Sequence, residues 1–102
     1  MSSPFQAISD PTRRQILDAL RAEGPQRAGD LAARFPAISR PGVSKHLRVL
    51  RQARLLHQER RGRELWYQLD AGPLSQVEAW LEQYAAFWEE KLRDLKKAAE
   101  GE

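Results

Sequence analysis

Apolar residues recur along the chain at two periods, and the switch between them lays out the elements. Behind an acidic cap and a first-turn proline, Asp10-Pro11, a helix is predicted to about Glu23, with Ile16, Leu17 and Leu20 inward. Gly24-Pro25 stops it. A second helix spans about Ala28 to Phe35, with Leu31, Ala32 and Phe35 inward and no convincing N-cap. Pro36 ends it, because proline has no N–H to continue the ladder, and Pro36-Ala37-Ile38 reads as a tight connection. A third helix covers Ser39 to Ala53, with Ser39 placed to cap it and Pro41 where backbone donors are unpaired anyway. Within it Val43, Leu47 and Leu50 share a sector of about 60°. The period then falls to two. Leu55–Glu59 and Glu64–Leu69 read as strands, the second alternating Leu65, Tyr67 and Leu69, around Arg60-Arg61-Gly62-Arg63 with glycine where a hairpin needs positive φ. Before all this, Ser3-Pro4 opens one helical turn over residues 4–8, anchored by Phe5 and Ile8. After it, Gly72-Pro73 opens a long helix from about Leu74 to Ala98, whose tail, Lys96 to Glu102, is expected to fray.

Two short helices joined by a tight turn and followed by a hairpin make a winged helix-turn-helix. The expected fold is therefore mainly α with a two-stranded β-hairpin wing, in one domain over residues 1–102. It comprises a recognition helix at about 39–53, a wing at about 55–69 and a dimerisation helix at about 74–98. That last helix is too long for the rest. Some 25 residues span roughly 38 Å, against a radius of gyration of about 13 Å for a chain of this size. Its stripe of Val77, Trp80, Leu81, Tyr84, Phe87, Trp88, Leu92 and Leu95 exceeds what a small core absorbs. A second copy of the same stripe is the favoured partner, aided by Phe5 and Ile8, with an aromatic ligand pocket as the alternative.

Charge changes the picture most. The net charge is +3, yet residues 40–63 hold eight cations (Arg40, Lys45, Arg48, Arg51, Arg54, Arg60, Arg61, Arg63) against Glu59 alone, a local +7 that leaves −4 for the rest. On the third helix Ser44, Lys45, Arg48 and Gln52 lie opposite the apolar stripe, with Arg40 near the exposed N-terminus and no anion among them. A solvated helix face normally mixes signs. One basic segment on an acidic scaffold is what a polyanion-binding surface requires, and a capped helix fronted by Ser, Lys and Arg suits a DNA major groove.

Composition narrows the alternatives. No apolar run reaches the ~20 residues of a membrane span or resembles a signal peptide, so the expected location is cytoplasmic and no membrane partner is expected. Cysteine is absent, which removes disulfides, thiolate nucleophiles and thiolate metal sites. With no glycine-rich phosphate loop and no histidine between a nucleophile and a carboxylate, nothing supports an enzyme. His46 and His57 stand eleven apart on different elements, which is no chelating spacing, and no cofactor is expected. His46 borders the apolar stripe, where a packed, hydrogen-bonded role is favoured over a DNA contact.

The runs ISDPTRRQILDAL, DLAARF, SRPGVSKHLRVLRQARLL and RRGRELWYQLD together resemble the ArsR/SmtB family of bacterial winged-helix repressors, over nearly the whole chain. The resemblance implies a homodimer built on the first and last helices, with the Ser39–Ala53 helix in a major groove of an inverted-repeat operator. It also implies wings along the phosphates or minor groove, and repression of a promoter, often the regulator's own. Metal-sensing members carry cysteines in the helix matching Ala28–Phe35, or Asp, His and Glu ligands on the last helix; here the first has no cysteine and the last no histidine. The resemblance is thus to the branch without metal sites. A metal- or small-molecule-responsive repressor is the alternative, its effector unspecified by the sequence. Arg54 stands where relatives usually have glycine. A left-handed non-glycine residue there would cost roughly 1 kcal/mol, so either the turn differs or the strain is carried. On this reading Arg40, Ser44 and Lys45 contact base edges, Ser39 and Arg48 contact phosphates, and Arg60, Arg61 and Arg63 act from the wing. Phe5, Ile8, Val77, Trp80, Leu81, Tyr84 and Trp88 form the dimer interface.

Overall fold

The computed structural model describes residues 3–101; Glu102, the end of the tail expected to fray, lies outside them. The chain runs α1 (Pro4–Ala7), α2 (Pro11–Glu23), β1 (Gln26–Arg27), α3 (Ala28–Ala33), α4 (Arg40–Gln52), β2 (Leu56–Arg61), β3 (Glu64–Leu69), α5 (Leu74–Glu82) and α6 (Ala85–Glu100). It is a mainly helical winged helix-turn-helix. The sheet has three strands rather than two, in the order β1-β3-β2, all antiparallel. The added strand is two residues long, too short for any alternation to show. It forms because β3 has a second edge, which Gln26 and Arg27 occupy opposite Tyr67 and Trp66.

The core is one cluster. Ile16, Leu17 and Leu20 of α2, Leu31 of α3, and Val43, Leu47 and Leu50 of α4 are buried with Ala7, Ala53, Leu55, Leu56 and Tyr67. Gln26 is the one buried polar side chain of the described residues, and it is satisfied at both ends: its amide donates to the Ala19 carbonyl at 3.1 Å and accepts from Arg34 at 3.0 Å. Arg34 also pairs with Glu23.

Local capping holds the N-terminal half together. Ser3 caps α1, and Asp10 caps α2 by accepting from the Arg13 amide at 3.0 Å. The arginines that follow finish α1: Arg13 donates to the carbonyls of Ala7 at 2.6 Å and Gln6 at 3.1 Å, and Arg14 to that of Ile8 at 2.7 Å. Arg13 also reaches α4, its guanidinium 3.5 Å from His46 Nδ1, which lies 3.9 Å from Asp10. His46 is therefore half-buried at the edge of the stripe, beside polar partners. The anchors of α1 are Pro4 and Ala7, not Phe5, which is exposed; Ile8 packs at the core's margin. Phe5 sits on the outer side of a four-residue turn and meets Trp80 edge-on at 6.0 Å.

The continuous helix expected over residues 74–98 is two helices. Around Gln83 and Tyr84 the bonds tighten to the i−3 spacing, Gln83 N–H to the Trp80 carbonyl and Tyr84 N–H to that of Leu81, and the ladder restarts at Trp88 N–H to the Tyr84 carbonyl. No proline or glycine marks the break. α6 is helical to Glu100. α6 reaches away from the core, giving extents of 63 × 28 × 21 Å and a radius of gyration of 17.9 Å.

The Asp10 carboxyl is held below its ordinary value of 3.8, chiefly by the Arg13 backbone N–H it accepts, opposed by partial desolvation and aided by the charge of His46. A lowered carboxyl contributes stability that is present above the unfolded value and lost as pH falls through the folded one. Asp10→Ala should thus cost about 1 kcal/mol near neutral pH, and the gap from wild type should close as pH falls below about 4. Urea unfolding of both proteins at a series of pH values checks this.

Candidate nucleic-acid interface

Ser39 stands in extended backbone (φ −65°, ψ 156°), and its Oγ accepts from the Gly42 N–H at 3.1 Å, as an N-cap should. Gly42 has a second role. A Cβ there would come within 2.8 Å of the Ile38 side chain, so the glycine lets the α3–α4 turn close against the start of α4. Ile38 N–H bonds to the Phe35 carbonyl at 3.0 Å and fixes that turn. With Val43, Leu47 and Leu50 buried, Arg40, Ser44, Lys45, Arg48 and Arg51 are all exposed. None of these side chains has a hydrogen bond or ion pair to another described residue. The helix thus presents cationic and hydroxyl donors on a rigid element with no ion-pair partner among the described residues.

Arg54 has φ +64°, in the left-handed region that favours glycine, so the strain expected at this position is carried rather than avoided. Leu55 N–H bonds back to the Leu50 carbonyl at 3.0 Å and Arg54 N–H to that of Arg51 at 2.9 Å. This is a complete Schellman ending, with Leu55 fully buried beyond it. The strain is carried because two hydrogen bonds and a core leucine depend on that backbone, and the exposed Arg54 side chain costs nothing further.

Leu55 leads into the wing, whose base is closed by Asp70 N–H to the Leu55 carbonyl at 2.8 Å. The hairpin turns through Gly62 (φ +64°) and Arg63, with glycine at the first central position. Consecutive strand residues face opposite ways, so the wing arginines do not act as a set. Arg60, opposite Leu65, shares a shallow cleft with Arg51 of α4, which joins the end of the helix to the wing. Arg61 lies on the other face, stacked 4.6 Å over Trp66 and 3.3 Å from Glu59. Arg63 projects at the tip. Sequence reasoning counted Arg51 as basic without placing it here, and passed over Trp66; Arg51 was accessible through its helical phase, Trp66 only through strand register.

The expected dimer residues divide in two. Phe5, Trp80, Tyr84 and Trp88 are exposed, joined by Phe87, Leu92 and Leu95, whereas Ile8, Val77 and Leu81 are half-buried within the chain. Trp80 packs edge-on against both Phe5 and, at 5.2 Å, Tyr84. Among the described residues no group of three His, Asp or Glu side chains could hold a metal ion, and no helix is long and apolar enough to cross a membrane.

Residues 8–59 match the helix-turn-helix domain family. The chain is 43% identical over 81 residues to the transcriptional repressor SdpR of Bacillus subtilis, covering 79% of this chain and 88% of that one. It is 42% identical over 88 residues to the HTH-type transcriptional regulator Rv2034 of Mycobacterium tuberculosis, covering 86% and 78%. Its fold is similar to the crystal structure of an ArsR family transcriptional regulator, at a TM-score of 0.72 and 34% identity over 83% of this chain and 91% of that one.

Replacing the strained residue of the Schellman turn should relieve it. Arg54→Gly is expected to stabilise the protein by up to about 0.5 kcal/mol, after the extra freedom of glycine in the unfolded chain is subtracted. That corresponds to a Tm higher by up to about 4 °C. Arg54→Ala, which keeps a Cβ at positive φ, should show no such gain in the same calorimetric scan.

Proposed function

Because the chain belongs to the ArsR family of winged helix-turn-helix transcriptional regulators, we propose that it acts as a homodimeric repressor reading an inverted-repeat operator with its two α4 helices. The observation that carries this is α4 itself: a capped, half-buried helix whose outward face holds Arg40, Ser44, Lys45 and Arg48 without one anion. Donors on the first two turns of such a helix reach base edges, which assigns Arg40, Ser44 and Lys45 to sequence readout. Ser39 sits where the unpaired N–H groups of the helix start favour a phosphate, and its hydroxyl can donate outward while its oxygen accepts from Gly42. Arg48 lies farther along the same face and takes a phosphate. The wing adds Arg60 and Arg63, on phosphates or in a narrow minor groove.

The dimer surface is the exposed face of Phe5, Trp80, Tyr84, Phe87, Trp88, Leu92 and Leu95. An aromatic side chain carries about 150–250 Å², so the five rings at roughly half exposure leave about 500 Å² uncovered before the leucines are added. That is large for a monomer and approaches the ~800 Å² per partner of a stable interface. Repression is proposed to be metal-independent, since the chain has no cysteine and its two histidines lie on different elements. We place its action in the cytoplasm and its operator upstream of its own coding region.

Salt titrations on that upstream duplex and on a scrambled one test the assignment. Lys45→Ala should cost roughly 1–3 kcal/mol per site on the operator and little on scrambled DNA. Arg63→Ala should weaken both about equally and flatten the salt dependence by about one unit for each phosphate it no longer neutralises. Adding Zn²⁺ to the wild-type complex should leave its affinity unchanged. Loss of sequence preference in Arg63→Ala but not in Lys45→Ala would reverse reader and clamp.

The oligomeric state is tested separately. Trp88→Asp puts a charge into the proposed interface at a residue outside the core, so the domain should stay folded while sedimentation shifts from dimer to monomer at micromolar concentration. A wild-type protein that sediments as a folded monomer at that concentration would sink the dimer.

A further inference from the structure

Three strands meet at one level of the sheet, where Arg27 of β1, Trp66 of β3 and Glu59 of β2 are register partners. The Trp66 ring lies between two guanidinium groups, Arg61 at 4.6 Å and Arg27 at 6.0 Å from its centre. Each cation is tied to an anion of the same sheet or its flank. Arg61 pairs with Glu59 at 3.3 Å, and Arg27 with Glu64 at 2.7 Å and Asp30 at 3.0 Å. The indole N–H is buried without an acceptor among the described residues, so stacking and strand pairing, rather than a hydrogen bond, hold the ring. Arg60 and Arg63, in contrast, have no ion pair or ring contact to a described residue.

Resting on the DNA-binding reading, we propose that Arg61 is a positioning residue of the wing and not a phosphate ligand: clamped on Trp66, it holds the hairpin in the shape that presents Arg60 and Arg63. Its charge is already balanced by Glu59, towards which its Nε and Nη2 are directed, so a phosphate would have to compete with that carboxylate and with the ring for the guanidinium. Arg60 points to the opposite face, toward the cleft it shares with Arg51. The wing therefore divides its three arginines into one that stiffens and two that present charge. Each single contact is weak on an exposed surface. Their joint effect is to lock a six-residue strand pair that has only a two-residue strand on its far side.

A phosphate ligand and a positioning residue differ in how they respond to salt. On a random-sequence duplex of about 30 base pairs, Arg63→Ala should lower the slope of log K against log salt by about one per protomer. Arg61→Ala should leave the slope unchanged while affinity falls about three- to ten-fold. In a Trp66→Leu background the same Arg61→Ala change should cost less than about two-fold, because its route of action is gone. Without DNA, Arg61→Ala should speed amide hydrogen exchange between Glu59 and Trp66 by about the same three- to ten-fold, and Arg63→Ala should not. A slope that drops as much for Arg61→Ala as for Arg63→Ala would overturn the proposal, as would unchanged exchange. If Trp66→Leu fails to fold, the slopes and exchange of the two arginine variants decide the matter alone. A wild-type protein that binds no duplex would overturn the DNA-binding reading instead, and the exchange measurement, which needs no DNA, keeps the two failures apart.

Discussion

Val43, Leu47 and Leu50 keep no more than 3% of their surface in water, and because they share one side of a 13-residue helix, α4 has only one rotational setting. Burying such side chains is worth about 1.5–3 kcal/mol each. Turning the helix by one residue would give that up and bring Arg48 and Arg51 toward the core, at a further several kcal/mol per ion. The outward face is thus fixed by the inward one. The Schellman ending extends the same constraint: Leu55 is held in the core by the turn that starts the wing, so the angle between helix and hairpin is set by apolar burial as well.

Much of this was legible in the sequence where the signal is local. Asp10-Pro11, Ser39, the 3.6-residue stripes of α2 and α4, and Gly62 all act within a few residues, and the elements form where those signals put them. What was illegible is non-local. Two residues of strand carry no period, and only the open edge of β3 makes Gln26 and Arg27 a strand. Nothing at Arg13 announces that it will cap the preceding turn through the Ala7 carbonyl and touch His46, thirty-three residues away. The break at Gln83–Tyr84 has no proline or glycine to mark it, so a continuous apolar pattern read as a continuous helix.

The candidate site shows the same division. Phase on α4 was enough to separate Ser44, Lys45 and Arg48 from the stripe, because one helix supplies both faces. On the wing, a run of arginines read as equivalent charges, and it is cross-strand register that distinguishes them. Arg61 falls beside Glu59 and over Trp66, whereas Arg60 falls on the opposite face. Counting charge along a chain therefore overstates what a surface offers to a polyanion. Arg27, Arg34 and Arg61 are paired with carboxylates of the fold, whereas Arg40, Lys45, Arg48 and Arg51 of α4 and Arg60 and Arg63 of the wing have no ion pair among the described residues.

α6 raises a different balance. It has no side-chain N-cap, none of its side chains is buried, and within the chain it packs chiefly against α5. A helix of 16 residues is close to the length at which isolated helices in water are marginal. Phe87, Trp88, Leu92 and Leu95 give it an apolar face that the rest of the chain does not cover. If a second copy covers that face, the helix gains its tertiary support from the partner, and ordering of α6 becomes coupled to association. The tie then runs inward, because Trp80 and Tyr84 at the α5 end of the face touch each other and Trp80 touches Phe5 of α1, whose carbonyls Arg13 caps while its guanidinium reaches His46 on α4. The exposed aromatic face and α4 are thereby joined through packed rings, a capped turn and a single arginine. On the proposed dimer, a change in how two protomers meet would have a physical route to the face of α4.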